Sequence, residues 1–180
     1  LLLVVDNGSI YTKNLLEFLS QLDIQYVSKS YDGINLDNLD EYSSFILSGR
    51  RQNNKEMNSK NSQIIKYSIL NKKPLLGICY GAEILALTVG GTIKKMNSLQ
   101  KGQNKISIQK TNPFFSDDIE VFESHNYEIS SISDKLQLVA SSDKCRNEII
   151  QYKDSRIFGV QFHPEMNKDG QEFIKKFCTL

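Results

Sequence analysis

An apolar run without polar alternation, LLLVV at residues 1–5, gives way to the turn-like DNGS, after which Tyr11, Leu15, Leu19 and Leu22 recur at helical spacing. The order is strand, turn, helix. The unit repeats: IQYVS reads as a second strand, SSFILS ending at Gly49 as a third, residues 64–70 as a helix, and KKPLLGIC as a fourth strand. Strands that are apolar on both faces and alternate with helices imply a parallel sheet covered on both sides.

After Gly90-Gly91 the texture changes to short alternating runs, TIKKM, NKISIQK, IEVFES, LQLVASS, NEIIQY and RIFGVQF, which read as hairpins and edge strands added to that sheet. GQEFIKKFC closes the chain as a helix with Phe173, Ile174 and Phe177 on one face. The expected fold is α/β, an open, mostly parallel sheet flanked by helices in a flavodoxin-like three-layer arrangement, with added antiparallel strands in the C-terminal half. Residues 1–180 form a single expected domain, since this length is about one domain's worth of chain. The Asn- and Lys-rich residues 50–61 are the one candidate for a mobile loop.

Charge narrows the partners. Net charge is +1, with Lys and Arg scattered among Asp and Glu, so no basic face is set out for nucleic acid. No apolar run approaches the roughly 20 residues that cross a bilayer, so no membrane partner is expected. The three cysteines, odd in number and widely spaced, make neither a disulfide framework nor a metal site, which fits a reducing cytoplasm.

Ligands of open parallel sheets sit beyond the carboxyl ends of strands, and Cys79 falls at such a strand end. Gly77 and Gly81 flank it as Gly-x-Cys-x-Gly, similar in shape to the elbow that lifts a nucleophile above a sheet. A place at the following helix's N-terminus puts free backbone N–H groups near the sulfur and predicts a lowered thiol pKa. The plainer alternative, a small buried cysteine, is common for this residue type and holds for Cys145 and Cys178.

The chain has two histidines. His163, in GVQFHPEM, follows a strand and has Glu165 two residues on, on the same side if the segment is extended. Such a carboxylate can hold the ring in one tautomer and stabilise the imidazolium, as in a nucleophile, base and acid triad. Cys79 with a His-x-Glu at the end of another strand is a much rarer coincidence than either alone.

These motifs resemble the triad (class I) glutamine amidotransferases: GICYGAE is similar to their cysteine motif, GVQFHPE to their His-Pro-Glu motif, and FILSGRR to their oxyanion loop Ser-Gly-Gly-Pro. Within that family, DNGSIYT and SHNYEI are most similar to the glutaminase part of GMP synthetase, while YTKNLLEFL is also similar to the anthranilate and aminodeoxychorismate synthase glutaminases. The resemblance implies hydrolysis of glutamine to glutamate and ammonia through a cysteinyl thioester, without cofactor or metal, with Cys79, His163 and Glu165 catalytic. It implies an oxyanion hole from the backbone N–H groups of Tyr80 and Arg50, and substrate contacts from Gly49, Glu83, Ser124, His125, Asn126 and Tyr127. The implied partner is a synthetase subunit of the ATP-pyrophosphatase type, and the chain's stop just past its last helix suggests a separate subunit.

Two departures from the family pattern bear on that reading. Arg50 stands at the second Gly of the oxyanion loop, where a positive φ would be strained for Arg, and Arg51 replaces the Pro. Glu83 stands where the family usually carries Gln, and a carboxylate accepts hydrogen bonds but donates none. Glu83 and the altered loop favour a partner-independent γ-glutamyl hydrolase as the alternative. The loop alone favours a non-enzymatic module, which the intact Cys79, His163 and Glu165 argue against.

Overall fold

The computed structural model describes residues 1–180. Nine strands form one sheet: β1 (Leu2–Asn7), β2 (Tyr26–Ser30), β3 (Ser44–Arg50), β4 (Leu75–Ile78), β5 (Thr92–Ile108), β6 (Ile119–Ser131), β7 (Leu136–Ser141), β8 (Ile149–Tyr152) and β9 (Ile157–Val160). Four α-helices flank it: α1 (Thr12–Leu19), α2 (Lys55–Leu70), α3 (Tyr80–Thr88) and α4 (Lys168–Phe177). Strand order is β2-β1-β3-β4-β9-β8-β7-β5-β6. From β2 to β9 every pairing is parallel, and from β9 to β6 every pairing is antiparallel, as the change of texture predicts.

Successive residues of a strand face opposite sides, and here both sides are apolar. Val4, Ile46, Leu76 and Phe158 face α1 and α4, packing with Leu15, Leu19, Phe173 and Phe177. Leu3, Val5, Leu47 and Leu75 face α2 and α3, packing with Met57, Ile64, Ile65 and Leu85. Two helical layers therefore enclose the sheet. No helix is long and apolar enough to cross a membrane.

The most consequential placement is β9. The last strand in sequence lies between β4 and β8, parallel to β4 in the register Leu75↔Ile157 through Ile78↔Val160. Strands β4 and β9 thus end side by side, one leading to Cys79 and the other to His163.

The loop expected over residues 50–61 is shorter than the sequence suggests, because α2 begins at Lys55. Its first two turns carry a single apolar residue, the buried Met57, and polar side chains supply the rest of their hold. Asn54 caps the helix by accepting from the Met57 N–H at 3.0 Å. The fully buried Asn61 donates to Asn7 Oδ1 and to the Met57 carbonyl, each at 2.8 Å. A buried Asn where periodicity looks for an apolar residue hides the helix from a pattern search. TIKKM and NKISIQK likewise are not two strands but parts of the 17-residue β5, whose pairing with β6 slips between Lys95 and Gln100.

Candidate active site

Cys79 occupies a sharp elbow, with φ 50° and ψ −102°. That conformation costs a non-glycine residue about 1–3 kcal/mol and persists only where surroundings impose it. Here the Cys79 N–H donates to the Val160 carbonyl at 2.7 Å, and the Cys79 carbonyl accepts from Ala82 and Glu83, both at 3.0 Å. The flanking glycines serve by volume rather than by φ. A Cβ on Gly77 would lie 2.4 Å from the Gly81 carbonyl oxygen, and one on Gly81 would lie 2.4 Å from that of Leu47.

The sulfur is buried, 4.0 Å from the Ser124 carbonyl oxygen. Its pKa runs against the sequence expectation: burial pushes the thiol well up, and the charges of Glu83 and Glu165 push it further, while the Tyr80 N–H pulls the other way. Desolvation of the thiolate outweighs the helix N-terminus.

His163 Nδ1 lies 2.8 Å from Glu165 Oε1, with both side chains almost wholly buried. The expected pairing is present, but a 3-10 turn at Pro164–Met166, rather than an extended segment, makes it. The His163 N–H donates to Phe122 at 2.8 Å, and Gly170 lies so close to this turn that a Cβ there would be 2.3 Å from the Pro164 oxygen. The Tyr11 ring packs 4.5 Å from the imidazole, and Gly49 abuts its Cε1. Engaging Nδ1 leaves Nε2 as the ring's available nitrogen.

Cys79 and His163 line one cavity of about 810 Å³. Of the residues singled out in the sequence, Arg50, Tyr80, Glu83, Ser124, His125, Asn126 and Tyr127 line it too. Glu165 and Gly49 stand behind His163 instead. Sequence reasoning missed Tyr11, whose hydroxyl donates to Ser124 Oγ at 3.1 Å, and Asn58, which accepts from the Tyr80 hydroxyl at 2.7 Å. Tyr11 lies within DNGSIYT, where helical spacing gave it a packing role; Asn58 lies in the stretch expected to be a loop.

Arg50 does not take a positive φ, nor does Gly49, so the anticipated strain is absent. Its guanidinium stacks 4.4 Å from the Tyr80 ring and donates to Asn53 and Asn58 at 2.5 and 3.2 Å. Glu83 Oε1 accepts from Gln161 Nε2 at 3.1 Å. Burial raises the Glu83 pKa, against the opposing pull of the Gln161 bond and of the Arg50, His125 and His163 charges. His125 is held at both nitrogens, by Glu123 at 2.8 Å and the Tyr127 carbonyl at 2.7 Å.

A cysteine on a strained strand-to-helix elbow, sharing a cavity with a carboxylate-held imidazole at the next strand end, has the layout of an α/β enzyme built for nucleophilic acyl chemistry. The family model described as glutamine amidotransferase class-I matches residues 3–179, and the chain belongs to that family. The glutamine-hydrolysing GMP synthase subunit of Thermoplasma acidophilum is 33% identical over 184 residues, covering 98% of this chain and 90% of that protein. Its counterpart in Picrophilus torridus is 32% identical, covering 97% and 95%. A solved structure of a candidate GMP synthase subunit from T. acidophilum superposes with a TM-score of 0.87 at 31% identity, covering 99% of this chain and 92% of that one.

Proposed function

We propose that this chain is the glutaminase subunit of a two-part GMP synthase, hydrolysing glutamine and passing ammonia to an ATP-pyrophosphatase-type synthetase subunit. The observation that carries the reading is Cys79 on its elbow, facing the cavity that His163, backed by Glu165, also lines. The two GMP synthase relatives, each matched along nearly its whole length, support the choice of partner. A cytoplasmic setting belongs to the same proposal, supported by three cysteines that are all free thiols.

In this mechanism His163 Nε2 takes the Cys79 proton as the sulfur attacks the side-chain amide carbon of glutamine. A thiol with a raised pKa calls for proton transfer concerted with attack rather than a standing thiolate. The tetrahedral intermediate carries an oxyanion. It collapses as His163 returns the proton to the departing nitrogen, releasing ammonia and leaving a thioester. The same imidazole then deprotonates water, which attacks the thioester, and the thiolate recovers its proton as glutamate leaves. Glu165 keeps the ring in the tautomer with hydrogen on Nδ1 and stabilises the imidazolium.

Two backbone donors suit the oxyanion. Tyr80 is the first residue of α3, so its N–H has no partner within the helix. The Ser48 hydroxyl accepts from Asn7 of β1 and donates to the Gly49 carbonyl, both at 2.9 Å, so that carbonyl faces β1. In a trans peptide the Arg50 N–H then points the opposite way, toward β4 and Cys79. This supports a hole formed with Arg50 in place.

Glutamate release measured with and without the synthetase partner tests the assignment. Strong stimulation by that partner is expected. Glu83 in the cavity wall favours the second reading, a γ-glutamyl hydrolase, and turnover of γ-glutamyl amides with no response to a partner would establish that one instead.

A further inference from the structure

Both histidines line the same cavity, and each is paired with a carboxylate two residues away, yet the two rings are bound differently. Glu165 engages one nitrogen of His163. His125 has acceptors at both: Glu123 Oε2 at 2.8 Å from Nε2 and the Tyr127 carbonyl at 2.7 Å from Nδ1. A backbone carbonyl only accepts, so Nδ1 carries a hydrogen. With Glu123 ionised, Nε2 carries the second, and the ring is an imidazolium with no nitrogen left for a substrate.

The elements behind Glu123 keep it ionised. Asn104 Nδ2 donates to Oε1 at 3.3 Å. Glu148, fully buried, packs against Glu123, and its own Oε1 accepts the Ser142 hydroxyl at 2.6 Å. Glu148 Oε2 is buried with no hydrogen-bond partner, so a negative charge there would go unanswered, and burial beside the Glu123 charge favours the neutral acid. Gln161 ties the same residue to the cavity: its N–H donates to the Glu148 carbonyl at 2.8 Å and its side chain to Glu83. A neutral Glu148 in the core thus backs a buried Glu123–His125 pair whose cationic end lies at the cavity wall.

We propose that His125 is a positioning residue for the reaction at Cys79, a fixed buried cation that acts on Glu83 and on the reacting sulfur by its charge alone. The cavity needs one. Glu83 on α3, Glu165 after β9 and Glu123 on β6 each oppose loss of the Cys79 proton. The cations able to answer them are Arg50 at the end of β3, His163 when protonated, and His125. A buried charge is screened little by salt, whereas an exposed one would be. A buried ion pair is weak evidence of a stabilising role, since an apolar pair of similar volume often serves stability as well. Its position on the wall of the reactive cavity fits a role in the chemistry.

The proposal rests on the glutaminase reading only for its kinetic arm. Nitrogen-15 NMR of the unmodified protein, with two histidines to assign, is expected to show His125 with both nitrogens protonated at pH 7.5; a neutral ring there overturns the proposal. In Glu123→Gln the ring titrates at or below its ordinary 6.5 instead of above it. Because Glu123→Gln also removes a carboxylate that opposes loss of the Cys79 proton, the readout is the pH dependence: the ratio of variant to unmodified rates of Cys79 alkylation by iodoacetamide should fall about 10-fold from pH 5.5 to pH 8 as the variant ring loses its proton. Under glutamine turnover the same ratio of kcat values should fall by a similar factor over that range, with KM little changed. An unchanged alkylation profile in folded E123Q overturns the proposal, and if E123Q does not fold the NMR result decides alone. Alkylation needs no turnover, so a protein that shows the shift yet never hydrolyses glutamine refutes the glutaminase reading and leaves this one standing.

Discussion

The Cys79 N–H donates to the Val160 carbonyl at 2.7 Å, so the elbow that presents Cys79 is fastened to the strand that leads to His163. Cys79 and His163 are held by one ladder, β4 against β9, and not by loops that meet across a cleft. Rigid elements position reacting groups more finely than loops do.

The strain at Cys79 has a measurable sign. Both Cys79→Ala and Cys79→Gly should abolish glutamine hydrolysis. At φ 50° the glycine variant should nonetheless be the more stable of the two by about 1–2 kcal/mol, reversing the usual order of these residues. Denaturant midpoints decide it; an alanine variant as stable as the glycine one would mean the elbow relaxes.

A methyl group at Gly81 would meet the Leu47 carbonyl, and one at Gly170 would meet Pro164. Gly81→Ala should cost about 1–3 kcal/mol, the usual range for overpacking, and disturb the elbow. Gly170→Ala acts on the turn between His163 and Glu165, so it should lower kcat even in protein that remains folded. Full activity in G170A would show that the turn tolerates displacement.

Replacing Glu165 by Gln keeps the shape and removes the charge that, in the proposed mechanism, steadies the imidazolium. A drop in kcat of about 10²-fold or more is expected, with KM for glutamine changed little. The comparison is steady-state kinetics of E165Q and the unmodified chain, each with the synthetase partner present. A change confined to KM would assign Glu165 to substrate binding instead.

Burial, with the Glu123 charge beside it, holds the Glu148 carboxyl well above its ordinary 4.5. A carboxyl raised by folding favours the folded state fully below its unfolded value, and that contribution is lost as pH rises through the folded one. Glu148→Gln does not titrate and keeps the side chain's size and shape. Its stability relative to the unmodified protein should therefore grow as pH rises above 4.5. Urea midpoints at pH 5 and pH 9 that move in parallel for both proteins would contradict this.

Much of this was legible in the chain because function here coincides with pattern. Runs apolar on both faces give the parallel half of the sheet, and Gly-x-Cys-x-Gly and His-x-Glu mark two strand ends. What stayed hidden rests on long-range contact. Asn61 holds α2 in place through Asn7, 54 residues away, which no periodicity registers. The raised thiol pKa depends on burial and on carboxylates from α3 and the turn after β9, and local reading saw only the helix N-terminus. The pair Glu123–His125 was half seen: His125 as a substrate contact, Glu123 not at all.

The place of β9 in mid-sheet has a consequence in time as well as in space. Leu75 pairs with Ile157, so the ladder that brings Cys79 beside His163 joins segments far apart in the chain and cannot close until the later one exists. A chain growing from its N-terminus carries the thiol from residue 79 until residue 163 is added with no imidazole at the neighbouring strand end. Such a chain would withhold ammonia release until the molecule is whole, so that half-made copies spend no glutamine.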